Sequence, residues 1–464
     1  MSTPPPSPAA PTGRTARLWV LAMLTGGLAA GATIALRAVA HHIEWLATGH
    51  MGGLVDAARG IPPWQRVLVG AVGGLLAGAA LHWGMRWARR GPAGDKNLDY
   101  IDAARQGRVD LNDRTTLVRT LSSLFSVGTG ASIGREGPMV QLAAWLAAKL
   151  AQHVPGLNEM ERKALLVCGI AAGIGAVYHA PVAGVVFVLE LALGFIAPSA
   201  VAPVLIASAT GNALIFWFVD PLHAALYATS ELPILPTSLG AALVAGLVFG
   251  ATGWALLYLL ERSRTLFHAL AKTHVPRMAL GGLLVGLVAT AVPEVWGNGY
   301  SVVQRVLHGD LLWQALALIL VAKVLATALS SGSGAIGGVF TPSLLVGATA
   351  GSLLAQLAVY LLPVAWVGDP RIMAVIGMAA VLAAVTHAPL MSIVMVLEMT
   401  GQFHLTLPTM LACGVAHAVS TGFGTRPLYG NPIEVQDQAG AGTETTENVK
   451  APHRTQAAHP DRPQ

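Results

Sequence analysis

Ten apolar runs, each near the length that crosses a lipid bilayer, constrain this chain more than any other feature. They are 18–36, 66–85, 163–175 continued by 180–197, 199–219, 236–260, 278–295, 311–329, 343–362, 371–398 and 404–422. A transmembrane helix needs about 20 predominantly apolar residues. A soluble protein would have to supply a fully buried core helix of this kind many times over. Composition agrees: 11% of the 464 residues are charged, against about 25% in soluble domains. The runs predict an all-α polytopic membrane protein, with the lipid bilayer as its surroundings.

The net charge of +5 is small, and its distribution says more than its size. Arg14 and Arg17 precede the first run. Arg86, Arg89, Arg90 and Lys96 follow the second, and Arg262, Arg264, Lys272 and Arg277 form another basic cluster. The segment 41–65 is poorer in Lys and Arg. The positive-inside rule then places the N-terminus and the basic loops in the cytoplasm. A nucleic-acid groove is disfavoured, because these charges lie beside apolar runs without interleaved aromatic residues. Cys168 and Cys413 both fall in apolar segments, which suits buried thiols and suggests neither a disulfide nor a metal site. Residues 1–17 and 433–464 read as disordered tails. The apolar stretch ending at Ala38-Val39-Ala40 is long for a signal peptide, and Arg37 interrupts it.

The chain is an internal duplication. The stretch from Ser126 to Pro138 (Ser-Val-Gly-Thr-Gly-Ala-Ser-Ile-Gly-Arg-Glu-Gly-Pro) recurs from Ser330 to Pro342 (Ser-Ser-Gly-Ser-Gly-Ala-Ile-Gly-Gly-Val-Phe-Thr-Pro) at an offset of 204. The glycines at 128, 130 and 134 and the proline survive, while Arg135 and Glu136 become Val339 and Phe340. A second pair, His179–Leu191 and His387–Met399, repeats at an offset of 208. The expected units are a first membrane repeat over 18–220, a connecting loop over 221–234 and a second repeat over 235–432. Duplicated apolar halves interrupted by glycine point to a transport fold with its site at the repeat interface, near the midplane. The repeat alone leaves parallel and inverted halves equally open.

The glycine-proline runs carry the chemistry. Four glycines in the ten residues from Gly128 to Gly137 oppose a continuous helix, since each costs about 1 kcal/mol relative to Ala. The helical pattern resumes at Pro138, and proline favours the first helical position. Residues 134–137 (Gly134, Arg135, Glu136, Gly137) therefore read as a break before a helix N-terminus. Gly338, Val339, Phe340 and Thr341 read likewise before Pro342. Helix N-termini offer unpaired N–H groups and partial positive charge, which suits an anion. Broken backbone at membrane depth is tolerated only where it is buried or lines a polar cavity. Two such ends could converge on one small anion.

A carboxylate in a membrane segment costs about 2.5–3.5 kcal/mol, so Glu136 reads as functional. Ionised, it would occupy the positive spot meant for the anion. Protonated or swung away, it would open that spot. It is thus a candidate gate and a possible proton carrier, set against a simple ion pair with Arg135. Glu190 and Glu398 are also intramembrane carboxylates, with helix–helix hydrogen bonding across the repeat or an inner proton route as their two readings. His179 and His387, each before Ala-Pro, finish a turn or relay protons. Read alone, Tyr429 is an interfacial aromatic anchor.

Gly134–Pro138, Gly338–Pro342 and the terminal Thr425-Arg-Pro-Leu-Tyr429 together resemble the CLC family of chloride channels and chloride/proton antiporters. The likeness runs from about residue 18 to 432 and is nearest to the bacterial voltage-gated ClC-type chloride channel branch without cytoplasmic CBS domains. The resemblance implies inverted halves of broken, tilted helices, a homodimer, and one chloride pathway per subunit in the cell inner membrane. It implies no cofactor beyond chloride as the transported ligand. Carried over position by position, Glu136 matches the gating glutamate, Val339 and Phe340 match backbone donors to the anion, and Tyr429 matches its hydroxyl donor.

Two positions depart from that pattern. Asp95 falls where the family has an inner-site serine, and an ionised aspartate about 4 Å from chloride repels it by about 4 kcal/mol. Asp95 is therefore expected to face away, for instance as a helix N-cap, with Lys96 offsetting its charge. Leu191 falls where the antiporters carry an inner proton-transfer glutamate, and Glu190 precedes it. Leucine cannot carry a proton, so the expectation tilts to a gated chloride conduit over a chloride/proton exchanger, with a fluoride-selective transporter as a further alternative. The chain contains no His-Glu-x-x-His, Gly-x-Ser-x-Gly or P-loop motif, so an enzyme is not expected.

Overall fold

The computed structural model describes residues 13–90, 98–193, 198–219, 226–227, 238–361 and 369–429. The first half comprises α1 (Gly13–Thr48), α2 (Leu54–Gly60), α3 (Pro63–Arg89), α4 (Tyr100–Arg105), α5 (Asp113–Gly128), α6 (Glu136–His153), α7 (Glu159–Tyr178), α8 (Pro181–Phe187) with a π turn over Val188–Leu193, and α9 (Pro198–Phe218). The second comprises α10 (Ser238–Leu270), α11 (His274–Ala291), α12 (Tyr300–His308), α13 (Trp313–Gly332), α14 (Phe340–Ala358), α15 (Pro370–Thr386), α16 (Pro389–Thr400) and α17 (Thr406–Gly422). Among the described residues, eight helices are long and apolar enough to cross a membrane. The protein is an all-α multi-pass membrane protein.

The two halves pack about α7 and α15. These helices are buried without interruption from Ala164 to Tyr178 and from Ile372 to Thr386, two stretches separated by the repeat offset of 208. A helix apolar all round belongs inside, surrounded by other helices. Both end in a histidine in the left-handed region, His179 and His387, each at φ 55°. The following Ala-Pro then opens α8 and α16. The apolar run 371–398 is thus two helices meeting at His387, because the left-handed residue turns the chain and Pro389 starts the next helix without needing its N–H.

Small residues let backbones touch in this core, as membrane bundles favour. A Cβ on Gly347 would stand 2.2 Å from the Gly377 carbonyl oxygen, and one on Gly377 would stand 2.3 Å from that of Gly347. Neither position of this α14–α15 contact admits a side chain. Large apolar residues such as Leu24, Leu76, Val244 and Leu325 face outward, the side that lipid covers.

The chain departs from the expected tail boundary. Residues 13–17 are helical, the first turns of α1, because Arg14 reaches Glu161 at 2.7 Å and Arg17 donates to the Pro155 carbonyl at 2.6 Å. Residues 1–12 and 430–464 lie outside the described residues, as does most of the connecting loop 221–234.

Candidate functional site

The duplicated glycine loops meet each other. Gly134 and Gly338 exchange two backbone hydrogen bonds, N to O at 2.7 Å and 2.8 Å, in an isolated antiparallel bridge. Equivalent residues of the two halves paired antiparallel define a local two-fold relation between the repeats. The bridge holds the start of α6 beside the start of α14.

Both helices begin two residues earlier than the sequence pattern suggests, at Glu136 and Phe340. Pro138 and Pro342 are third residues rather than first. This is tolerated because none of the first four N–H groups has a partner inside the helix. Neither start carries a side-chain cap. Four helices carry one, Asp99 on α4, Asn112 on α5, Asn158 on α7 and Asp369 on α15, while α2, α3, α11, α12, α13 and α17 also lack one. What sets α6 and α14 apart is that their starts are joined at the Gly134–Gly338 bridge. The second duplicated pair of helix starts is capped across the repeat. Glu398 accepts from Val182 and Ala183 N–H at 3.1 and 2.7 Å, and Glu190 accepts from Leu390 and Met391 N–H at 3.1 and 2.6 Å. So α8 and α16 have their positive ends answered by protein carboxylates, while α6 and α14 keep theirs for something else.

Glu136 lies over that pair of open ends. It is buried, 6% exposed. A Cβ on Gly134 would collide with its Oε2, and one on Gly338 would sit 3.7 Å from it. Glycine at 134 is therefore what lets the carboxylate fold back onto the bridge. Oε1 accepts from the Asn298 side-chain amide at 2.7 Å. Arg135 is half-buried on the same side, and the hydrogen bond that holds Glu136 comes from Asn298 instead.

Glu136 lines a cavity of about 320 Å³. The lining brings together Arg37, His41 and Glu44 of α1, Tyr178 and His179, and the loop 296–301. Arg135 and Thr341, beside the starts of α6 and α14, join Glu136 in it. Lys323, fully buried in α13, points into the neighbouring loop and donates to the carbonyls of Val295 and Gly297 at 3.1 and 2.7 Å. Lys323 and Tyr429 lie within electrostatic reach of Glu136.

The remaining expected residues fall as follows. Val339 immediately precedes α14 and Phe340 opens it, both buried, with the Phe340 ring 4.8 Å from that of Tyr178. Tyr429 is half-buried, edge-on to Phe187 at 6.2 Å, and its carbonyl accepts from Arg105 at 3.1 Å. Leu428 N–H on the Val385 carbonyl ties this last segment to α15. Gly137 and Pro138 lie in the first turn of α6. Asp95 lies outside the described residues, and the N-cap in this region is Asp99, whose carboxylate accepts from Ile101 and Asp102 N–H at 2.9 Å. Leu191 belongs to the π turn, and its side chain lies outside the described part.

Asn298 and Lys323 were not picked out by sequence reasoning. Lys323 had a signal, a charge alone in the apolar run 311–329. Asn298 had a weaker one, a polar residue between Gly297 and Gly299 that reads as an ordinary turn.

Residues 73–421 match the family described as voltage gated chloride channel. The chain is 44% identical over 424 residues to a ClcB-like chloride channel protein of Ralstonia nicotianae, covering 89% of this chain and 96% of that one. It is 38% identical over 427 residues to the voltage-gated ClC-type chloride channel ClcB of Salmonella typhimurium, covering 89% and 98%. Among solved structures, a slow cyanobacterial Cl⁻/H⁺ antiporter superposes with a TM-score of 0.77 at 22% identity, over 94% of this chain and 100% of that one. A CLC-type fluoride/proton antiporter superposes with a TM-score of 0.68 at 22% identity, over 89% and 98%.

Proposed function

The chain belongs to the voltage gated chloride channel family, whose business is chloride transport, and we propose that it conducts chloride through a pathway gated by Glu136. The observation that carries this reading is the pair of uncapped helix starts, α6 and α14, joined by the Gly134–Gly338 bridge with the Glu136 carboxylate folded over them. Helix N-termini bind anions through N–H groups and partial positive charge. A monatomic anion suits such donors, because they impose no fork geometry.

In this reading the amides of Val339 and Phe340 and the Tyr429 hydroxyl hold the central chloride. A phenol O–H is uncharged, so it binds the ion without trapping it. Ionised Glu136 competes for the outermost position. Chloride passage requires the carboxylate to leave, and protonation, which removes its charge, favours leaving.

A channel-type conduit is preferred to a proton-coupled exchanger. Leu191 cannot relay protons, and both Glu190 oxygens are engaged by the N–H groups of Leu390 and Met391. Basic loops beside the spans support a cytoplasmic membrane location with both termini inside. A homodimer with one pathway in each subunit accords with the family.

Purified protein in liposomes under an imposed chloride gradient tests the reading. Chloride should run down its gradient without moving protons uphill. Uphill proton movement at a fixed ratio to chloride would overturn the conduit in favour of exchange.

A further inference from the structure

Asn298 is the side-chain donor to the Glu136 carboxylate, at 2.7 Å on Oε1, while Oε2 is buried with no donor among the described residues. The orientation of the amide is set from the other side. Asn298 Oδ1 accepts the backbone N–H of Tyr300 at 3.2 Å. Only an oxygen can accept there, so the NH₂ group must face Glu136. The loop that carries Asn298 is itself held. Gly297 and Gly299 flank it at φ 67° and 91°, Trp296 is fully buried, and Lys323 pins the carbonyls of Val295 and Gly297. An amide with fixed orientation on a pinned loop donates to a carboxylate that must move.

We propose that Asn298 is a positioning residue for the gate, a latch that holds ionised Glu136 in its folded-back pose and so sets how readily the pathway opens. This rests on the gate reading of Glu136. A hydrogen bond to a charged acceptor is among the stronger ones, roughly twice as strong as one to a neutral acceptor, so the latch grips the charged carboxylate and slackens when that charge is removed. Other charges face the same carboxylate: Arg135 on its own element, Lys323 from α13, and Arg37 and Glu44 from α1. Titratable His41, His179 and the phenols of Tyr178, Tyr227 and Tyr429 complete its surroundings. Asn298 differs from these in touching Glu136 directly.

The test is chloride efflux from liposomes containing the full chain, measured across a pH series for Asn298→Ala and Asn298→Asp, each in the native and the Glu136→Ala background. With Glu136 present, Asn298→Ala should raise flux near neutral pH about tenfold and move the midpoint of the flux-against-pH curve up by about one unit. Asn298→Asp keeps the acceptor for Tyr300 and replaces the donor by a like charge, so its midpoint should move further in the same direction. In the Glu136→Ala background Asn298→Ala should leave flux unaltered, whereas Asn298→Asp, a charge in the lining of the same cavity, should lower it by repelling chloride. Equal changes for Asn298→Ala in both backgrounds, an unmoved midpoint, or a downward midpoint shift in Asn298→Asp would overturn the latch. If Glu136→Ala alone leaves flux and its pH dependence as in the native protein, the gate reading itself fails.

Discussion

The Glu190 carboxylate stands 2.6 Å from the Met391 N–H, so a side chain of the first half closes a helix of the second. Its repeat counterpart Glu398 stands 2.7 Å from Ala183 N–H and closes a helix of the first. The exchange is reciprocal, and it ties the halves together through two half-buried, charge-assisted caps. A carboxylate at a helix start satisfies orphan N–H groups and meets the positive end of the dipole.

Removing either cap should therefore destabilise the fold to a similar extent. Glu190→Ala and Glu398→Ala are each expected to cost about 1–2 kcal/mol, read as earlier thermal unfolding in detergent. Glu190→Gln should retain part of the loss, because an amide oxygen still accepts. A normal unfolding temperature in both alanine variants would show that the caps hold nothing.

The α14–α15 contact makes a sharper prediction. Gly347→Val and Gly377→Val each insert a side chain where a Cβ already meets backbone at 2.2–2.3 Å. Backbone cannot yield as a flexible side chain does, so the helices must separate. Overpacking costs about 1–3 kcal/mol in ordinary cores, and two abutting backbones place these variants at or beyond the upper end. The measurement is the yield of monodisperse protein after size-exclusion chromatography, and native yield for both would contradict the contact.

Glu136→Gln and Glu136→Ala should each change chloride flux and flatten its dependence on pH. The sign follows from charge. In the native protein acid neutralises the carboxylate that competes with chloride at the open helix ends, so flux should rise as pH falls. The glutamine and alanine variants have no proton to gain, and their flux should be level across the same series. A surviving pH response would move the gate elsewhere.

Tyr429→Phe removes one hydroxyl donor from the proposed central anion position. The packing of the ring on Phe187 and the Leu428–Val385 backbone bond remain, so the fold should persist. Loss of one hydrogen bond to an ion predicts about tenfold weaker chloride binding by calorimetry. Unchanged affinity with an intact fold would remove Tyr429 from the pathway.

Much of this was legible beforehand, for identifiable reasons. Apolar runs, repeated glycine-proline breaks and one carboxylate among them are local patterns, and local patterns survive in a one-dimensional string. The break at residue 387 was hidden because the run 371–398 is apolar throughout, and only the left-handed His387 divides it. Asn298 was hidden because its partner is 162 positions away.

The sequence by itself determined that the chain is a duplicated helical membrane protein whose two glycine loops end in helix starts, one of them bearing Glu136. Those are matters of composition, spacing and the intrinsic behaviour of glycine and proline. Only the tertiary structure decided which helix starts are answered and which are left open. Glu190 and Glu398 cap α16 and α8 across the repeat, whereas α6 and α14 meet at Gly134 and Gly338 with Glu136 above them. Hydrogen bonds between residues some 160 to 220 positions apart depend on how the halves turn against each other, and that is a property of packing.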